Sequence, residues 1–301
     1  MKTLSRIMIA VSTTFSFFSV AADFTQADDL FQRRHEGFEV ATQARSIYEQ
    51  KLSENISEDE RVFAVSQIAR LDIYRGGVVG GVKVEVRKKV FEKCLKTVSS
   101  IKKTNRQEYH YFTLSCLGFR GKLSESVAGR LKWAMKMRSA QGPALEATKS
   151  EGNYVGGFEG GGILRIMSAV RGNRKAKPVG LYDPKEALVF AERAIQAQAR
   201  IYRPFPDPLS GEDFHENAYY VAQAKIAIAI EKENFNKVES AKQELESRIE
   251  TLNELEDLGE LPRGREPETI YYKGLMTELL GKVNKCINKD NWKNCLIDQL
   301  D

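Results

Sequence analysis

The sequence predicts an all-α fold built from antiparallel helix pairs, and three observations carry that prediction. Apolar residues recur at three and four spacing almost throughout the 301 residues. Alternation of the strand type is confined to the short Val82-Lys83-Val84-Glu85-Val86. Pro204, Pro206, Pro208, Pro262 and Pro267 fall between the helical patterns, where helix breakers belong. A composition of 42% hydrophobic and 29% charged residues excludes both a disordered chain and a multi-span membrane protein.

Taken in order, the first helix is expected over 26–52. The second opens at Ser57, which stands with Glu60 at the spacing of a capping box, and closes at Gly76-Gly77. Helices follow over 82–101, 106–118 and 124–138, with a shorter one running from Pro143 into a Gly-rich loop at Gly152. A brief helix over 163–170 comes next. Pro184 then takes the first helical position after an Asp183 cap, launching a helix to about Tyr202. The last patterns cover 213–232, 236–258 and 266–287.

Ahead of these, Lys2 and Arg6 precede an apolar stretch that reaches Val20-Ala21-Ala22 before the first acidic residue, Asp23. A charged start, an apolar middle and small residues at the end are the marks of a cleaved signal peptide over 1–22. The apolar part is shorter than the roughly 20 residues of a spanning helix. The expectation is therefore a soluble, exported, periplasmic chain of residues 23–301, a single helical domain with 259–301 as its C-terminal cap; a retained N-terminal anchor is the alternative. Loss of Lys2 and Arg6 takes the net charge from +5 to +3, too weak to demand nucleic acid.

In an oxidising compartment the four cysteines, Cys94, Cys116, Cys286 and Cys295, read as disulfides. Cys94 and Cys116 each lie 11 residues from Asn105, in the polar break Lys102-Lys103-Thr104-Asn105-Arg106. A hairpin turning there brings the two level. Cys286 and Cys295 are nine residues apart, about 13 Å along a continuous helix, so pairing them requires a turn within Asn288-Lys289-Asp290-Asn291.

Helix after helix with short links is the pattern of a helical-pair solenoid. Glu186-Ala187-Leu188-Val189-Phe190-Ala191-Glu192-Arg193-Ala194-Ile195 reads like the second helix of a tetratricopeptide (TPR) repeat, with Ala187, Ala191 and Ala194 on the face a neighbouring helix must approach. A weaker echo lies over 236–245. No strict 34-residue period covers the chain, so the expected fold is a degenerate TPR-like helical-pair solenoid.

Gly160-Gly161-Gly162-Ile163-Leu164-Arg165, then Lys177-Pro178-Val179-Gly180, then Asp183-Pro184-Lys185-Glu186-Ala187-Leu188 together resemble the T component of TRAP transporters, TatT. That family has a Gly-Gly-x-x-Arg segment, a proline-containing crossing and an Asp-Pro-x-x-Ala-Leu helix. Phe91-Glu92-Lys93-Cys94 and Glu108-Tyr109-His110-Tyr111-Phe112 sit where it has a helix pair. The likeness covers about residues 30–258, and its middle third is the specific part. This chain departs from the pattern in having Ile163 where the family has Pro after the glycines, and in the basic run Arg171-Gly172-Asn173-Arg174-Lys175. The resemblance implies a trimerising helical accessory protein that partners a periplasmic solute-binding subunit and holds an apolar channel for hydrophobic ligands.

Candidate chemistry is sparse. The run from Gly152 to Gly162 lacks both the Lys-Ser/Thr ending of a P-loop and the GxGxxG spacing; its glycines read instead as a structural crossing made by Gly160, Gly161 and Gly162, with Arg165, Pro178, Asp183 and Pro184 alongside. Tyr154, Phe158, Phe205, Tyr109 and Phe112 are the candidates for a ligand or partner surface, with burial in the core the commoner fate of such rings. His35, His110 and His215 belong to no HExxH motif, and no Gly-x-Ser-x-Gly elbow is present. The expectation is no catalytic residue, cofactor or metal, with a hydrolase as the minority reading.

Charge is segregated along the chain. Residues 81–110 hold nine Lys/Arg against three Asp/Glu, and 231–268 hold six against twelve. Solvated helix faces explain this as readily as a docking surface does. Two functional readings follow: an accessory protein of solute uptake, with an apolar small molecule, a solute-binding protein or further copies of itself as partners; or an envelope scaffold docking proteins in a concave groove.

Overall fold

Each helix packs on its successor, and along one side, from the third helix onward, each odd-numbered helix also packs on the odd-numbered helix after it. The computed structural model describes residues 23–101, 105–149 and 157–300; the expected leader and Tyr154 lie outside these. The helices are α1 (Thr25–Gln32), α2 (Phe38–Leu52), α3 (Glu58–Ile73), α4 (Val84–Val98), α5 (Gln107–Lys122), α6 (Val127–Lys149), α7 (Phe158–Arg171), α8 (Pro184–Ile195), α9 (Glu216–Glu231), α10 (Phe235–Leu258), α11 (Glu266–Ile287) and α12 (Trp292–Leu300). Helices α3, α5, α7, α9 and α11 touch in succession as an inner layer, with α2, α4, α8 and α10 filling the outer one. This is the all-α helical-repeat arrangement that the spacing predicts.

The reasons are local. Ser57 and Glu60 close the expected capping box at the start of α3. Asp183 accepts from the N–H groups of Lys185 and Glu186 at 3.1 and 3.0 Å, with Pro184 at the first position of α8. Ala187, Ala191 and Ala194 of α8 are fully buried, and α8 packs on α7 and α9. Small side chains there let three helices come close, as the TPR reading of that segment requires. Apolar clusters follow one another along the array, from Phe24, Phe31 and Tyr48 at one end to Leu252, Met276 and Leu296 at the other.

Four boundaries differ from expectation. The helix expected over 26–52 is interrupted by a 3-10 turn at Arg33–Glu36 and by Gly37 at φ 139°. The helix expected over 82–101 is α4, Val84–Val98, two residues shorter at its start and three at its end. Pro143 starts no helix but lies inside α6. It is exposed, as is Ser139, whose carbonyl loses its helical donor, so the lost hydrogen bond falls at the surface of the helix. Finally, α8 stops at Ile195, and a short antiparallel hairpin pairs Arg200–Ile201 with Pro208–Leu209. The Gly211 N–H returns to the Ala197 carbonyl at 2.8 Å, which draws the chain away from the helix axis.

The first turns of the array meet the start of α11. Arg34, after α1, is buried and reaches Glu268 of α11 at 3.1 Å from Nε, and α11 also touches the π-helical turn Tyr74–Val78 that follows α3.

Both expected cysteine pairs form. Cys94 of α4 joins Cys116 of α5 with Cα atoms 6.3 Å apart, and Cys286 of α11 joins Cys295 of α12 at 5.5 Å. The chain turns over Asn288 to Asn291 as that pairing requires. Closing a 22-residue loop removes denatured-state entropy worth about 3 kcal/mol. The double variant Cys94→Ala with Cys116→Ala should therefore unfold about 3 kcal/mol more easily in urea, and equal midpoints would show that the thiols are unpaired in solution.

Candidate functional site

Helix α7 begins in an unusual way. Glu159, Gly160 and Gly161 hold φ of 55°, 54° and 76°, a turn of left-handed backbone before the right-handed helix starts. Tyr202 secures it: its hydroxyl donates to the Gly157 carbonyl and accepts from the Gly160 N–H, each at 3.1 Å. There is no room for side chains. A Cβ on Gly161 would lie 2.6 Å from Ala194 Cα, and one on Gly160 would lie 2.2 Å from the Phe214 ring. Gly160 and Gly161 thus combine positive backbone angles with close helix approach.

The crossing turns Glu159 inward into a buried ion cluster on the inner-layer side. Arg70 of α3 holds Glu159 at 2.7 Å. Arg265, capping α11, holds Glu216 of α9 at 2.6 Å and lies 3.8 Å from Glu159. Arg165 of α7 donates to Asn217 Oδ1 at 3.0 Å and stands 3.6 Å from Glu216. Asn217 in turn donates to the carbonyls of Gly160 and Gly211 at 3.2 and 2.7 Å. The Phe214 ring is sandwiched by cations, with Arg265 at 4.0 Å and Arg165 at 5.0 Å from its centre.

Three arginines thus meet two glutamates where the inner helices converge. Burial alone would raise the Glu216 carboxyl, but Arg265 and Arg165 outweigh it and hold it below the ordinary carboxylate range. Taken together, these groups offset one another to a net charge of +1 and lie where α3, α7, α9 and α11 converge, on the inner-layer side of the array.

His215, next to Glu216, is 5% exposed, and neither ring nitrogen has a hydrogen-bond partner. Burial, reinforced by the nearby Arg248, pushes it down to about 4. The folded protein therefore keeps this imidazole neutral while the unfolded chain takes up a proton below its ordinary value of about 6.5. Stability present above pH 6.5 is lost as pH falls toward 4, by about 2 kcal/mol between pH 7 and pH 5. In His215→Leu this loss should vanish, which thermal melts at the two pH values would read; an unchanged pH slope would refute it.

Three of the five sequence-predicted aromatics gather around Arg70, whose guanidinium lies 5.8, 5.6 and 5.5 Å from the rings of Phe112, Phe158 and Phe205. Phe112 and Phe205 are buried, and Phe158 packs edge-on against Tyr111, Phe112 and Tyr202. Tyr109 is half-buried beside His110. Core packing, not an open ligand surface, occupies Phe112, Phe158 and Phe205.

An open groove lies elsewhere, between the 3-10 segment Arg174–Val179, the end of α9 and α12. Its volume is about 640 Å³, and Pro178, Tyr182, Ile230 and Ile297 give it an apolar lining. Arg174, Lys175, Lys177 and Lys293 surround it against a single acid, Glu231. Lys293 is shared with Glu233, while the side chains of Lys175 and Lys177 are exposed and make no ion pair with the described residues. The Cys286–Cys295 bridge fastens the α12 wall to α11. Pro178 and the basic run 171–175 were visible in the sequence, but not as a groove, because Ile230, Lys293 and Ile297 come from segments 50 or more residues away.

The segregated charge is answered in part by neighbouring helices. Lys88 pairs with Glu85 and Glu125, Lys93 with Glu49 and Arg106 with Asp59. On the acidic side, Glu244 pairs with Lys225 and Glu256 with Lys273. Lys83, Lys89 and Lys96 on one side, and Glu250, Glu254 and Asp257 on the other, stay exposed. Among the described residues no helix is long and apolar enough to cross a membrane. A search of family models gives no match to the chain, and neither does a search of curated proteins.

Proposed function

We propose that the protein is an exported, non-catalytic helical-repeat accessory protein that binds an apolar molecule carrying an anionic end. The groove between the 3-10 segment, α9 and α12 carries this reading. Its volume falls within the roughly 300–1,000 Å³ range of small-molecule sites, its lining is apolar, and its rim is cationic. An alkyl chain would cover Ile230 and Ile297 while a carboxylate met Lys175 and Lys177. The charged leader over 1–22 and the two disulfides support export to an oxidising compartment. The resemblance to TatT supports a place beside a periplasmic solute-binding protein in a TRAP-type uptake system, with a homo-oligomer as the working form.

A second reading, an envelope scaffold for protein partners, draws on the exposed charges of α4 and α10. Its concave groove would have to lie away from the ion cluster, where α3, α7, α9 and α11 converge.

Titration calorimetry with a long-chain alkyl carboxylate, and with the alcohol of equal chain length, tests the first reading. The carboxylate should bind more tightly than the alcohol, and Lys175→Glu with Lys177→Glu should weaken it by about tenfold or more. Both lysines are exposed, so the variant should melt like the parent. Equal affinity in parent and variant would overturn the assignment.

A further inference from the structure

We infer that α6 is a docking face for an anionic lipid surface. Three apolar residues stand one turn apart along it, Val127, Leu131 and Met135, with exposures of 76%, 48% and 49%. Among the described residues none of the three is buried by another helix, while the opposite face of α6 buries Trp133 and Met137 against α5 and α7. An exposed apolar row of this kind, repeated at four-residue spacing, needs a partner.

The charge around the row says which partner. Between Val127 and Leu145 there are four cations, Arg130, Lys132, Lys136 and Arg138, and no acid. All four are exposed, and none forms an ion pair with the described residues. At about 100° per residue, Arg130 and Lys132 flank Leu131 on its two sides. Apolar side chains between lateral cations match the boundary between acyl chains and acidic headgroups, with long basic side chains reaching the phosphates as Val127, Leu131 and Met135 sink below them. Each cation adds attraction to the negative surface potential.

The surroundings favour a plane over a groove-shaped partner. The stripe runs along a single exposed helix and is not recessed. Lys88 reaches Glu125 at 2.8 Å, tying the first turns of α4 to the loop that leads into α6, and Val84 and Val86 at that end of α4 are exposed as well. More apolar surface thus lies beside the start of the stripe. This inference is independent of the groove and of what it holds.

Flotation of the full chain with vesicles of pure phosphatidylcholine, and with vesicles also containing phosphatidylglycerol, tests it. Binding should require phosphatidylglycerol and weaken as salt is raised. Leu131→Glu should abolish it, and Arg130→Ala with Lys132→Ala should weaken it by about thirtyfold. Because all three positions are exposed, circular dichroism melts of these variants should match the parent. Equal binding to both vesicle types, or variants that float like the parent, would overturn the inference. So would a self-association in sedimentation velocity that Leu131→Glu removes while vesicles are ignored, since the face would then belong to a second copy.

Discussion

Replacing Gly161 with Val should destabilise the protein by about 4 kcal/mol, a fall of roughly 10 °C in melting temperature for a chain of this size. Two costs add. The residue holds φ 76°, which a β-branched L-residue adopts only with strain, and its Cβ would fall 2.6 Å from the Ala194 Cα atom. Backbone cannot swing aside as a flexible side chain can, so α7 and α8 must separate. Two controls isolate the terms. Gly180 also holds a positive φ, 67°, but a Cβ there meets nothing within 4 Å, so Gly180→Ala should cost only about 1 kcal/mol. Gly274 is helical and open, and Gly274→Ala should stabilise by up to about 1 kcal/mol. Urea midpoints for the three variants check the order; an unchanged midpoint for Gly161→Val would mean that the crossing is not close-packed.

Glu216→Gln should cost about 3 kcal/mol or more. The side chain keeps its shape, yet Arg265 and Arg165 lose the carboxylate that offsets their burial, leaving three arginines against Glu159 alone. Removing one partner of a buried pair typically costs about 3–5 kcal/mol, whereas replacing the pair by apolar groups costs far less. Arg265→Met added to Glu216→Gln should therefore recover part of the loss. A double-mutant cycle in urea measures this coupling, and strictly additive losses would show that the two side chains act separately.

What the sequence discloses and what it hides divide along physical lines. Local signals survive folding: the Ser57–Glu60 box, the Asp183-Pro184 start and the small faces of Ala187, Ala191 and Ala194 each act within a few residues, and each appears where expected. The Cys94–Cys116 pair was legible because α4 and α5, successive in the sequence, pack on each other. Pro143 misleads because its cost depends on exposure, and the α6 face that bears it is exposed. The ion cluster is invisible for the opposite reason. Arg70, Glu159, Glu216 and Arg265 span nearly 200 residues of chain, and each alone reads as an ordinary charged side chain. A faint clue is that Arg70 interrupts the largely apolar end of α3. The groove was half-legible: its basic rim stood out as a departure from the TatT pattern, while its apolar walls are ordinary positions on α9 and α12.

Native mass spectrometry of protein purified from its host, under conditions gentle enough to keep non-covalent ligands, tests the central claim most directly. The account predicts a chain that carries an added mass matching an anionic amphiphile, lost in Lys175→Glu with Lys177→Glu and restored in the parent when a long-chain carboxylate is supplied. A bare chain in the parent that stays bare after the carboxylate is added would contradict it.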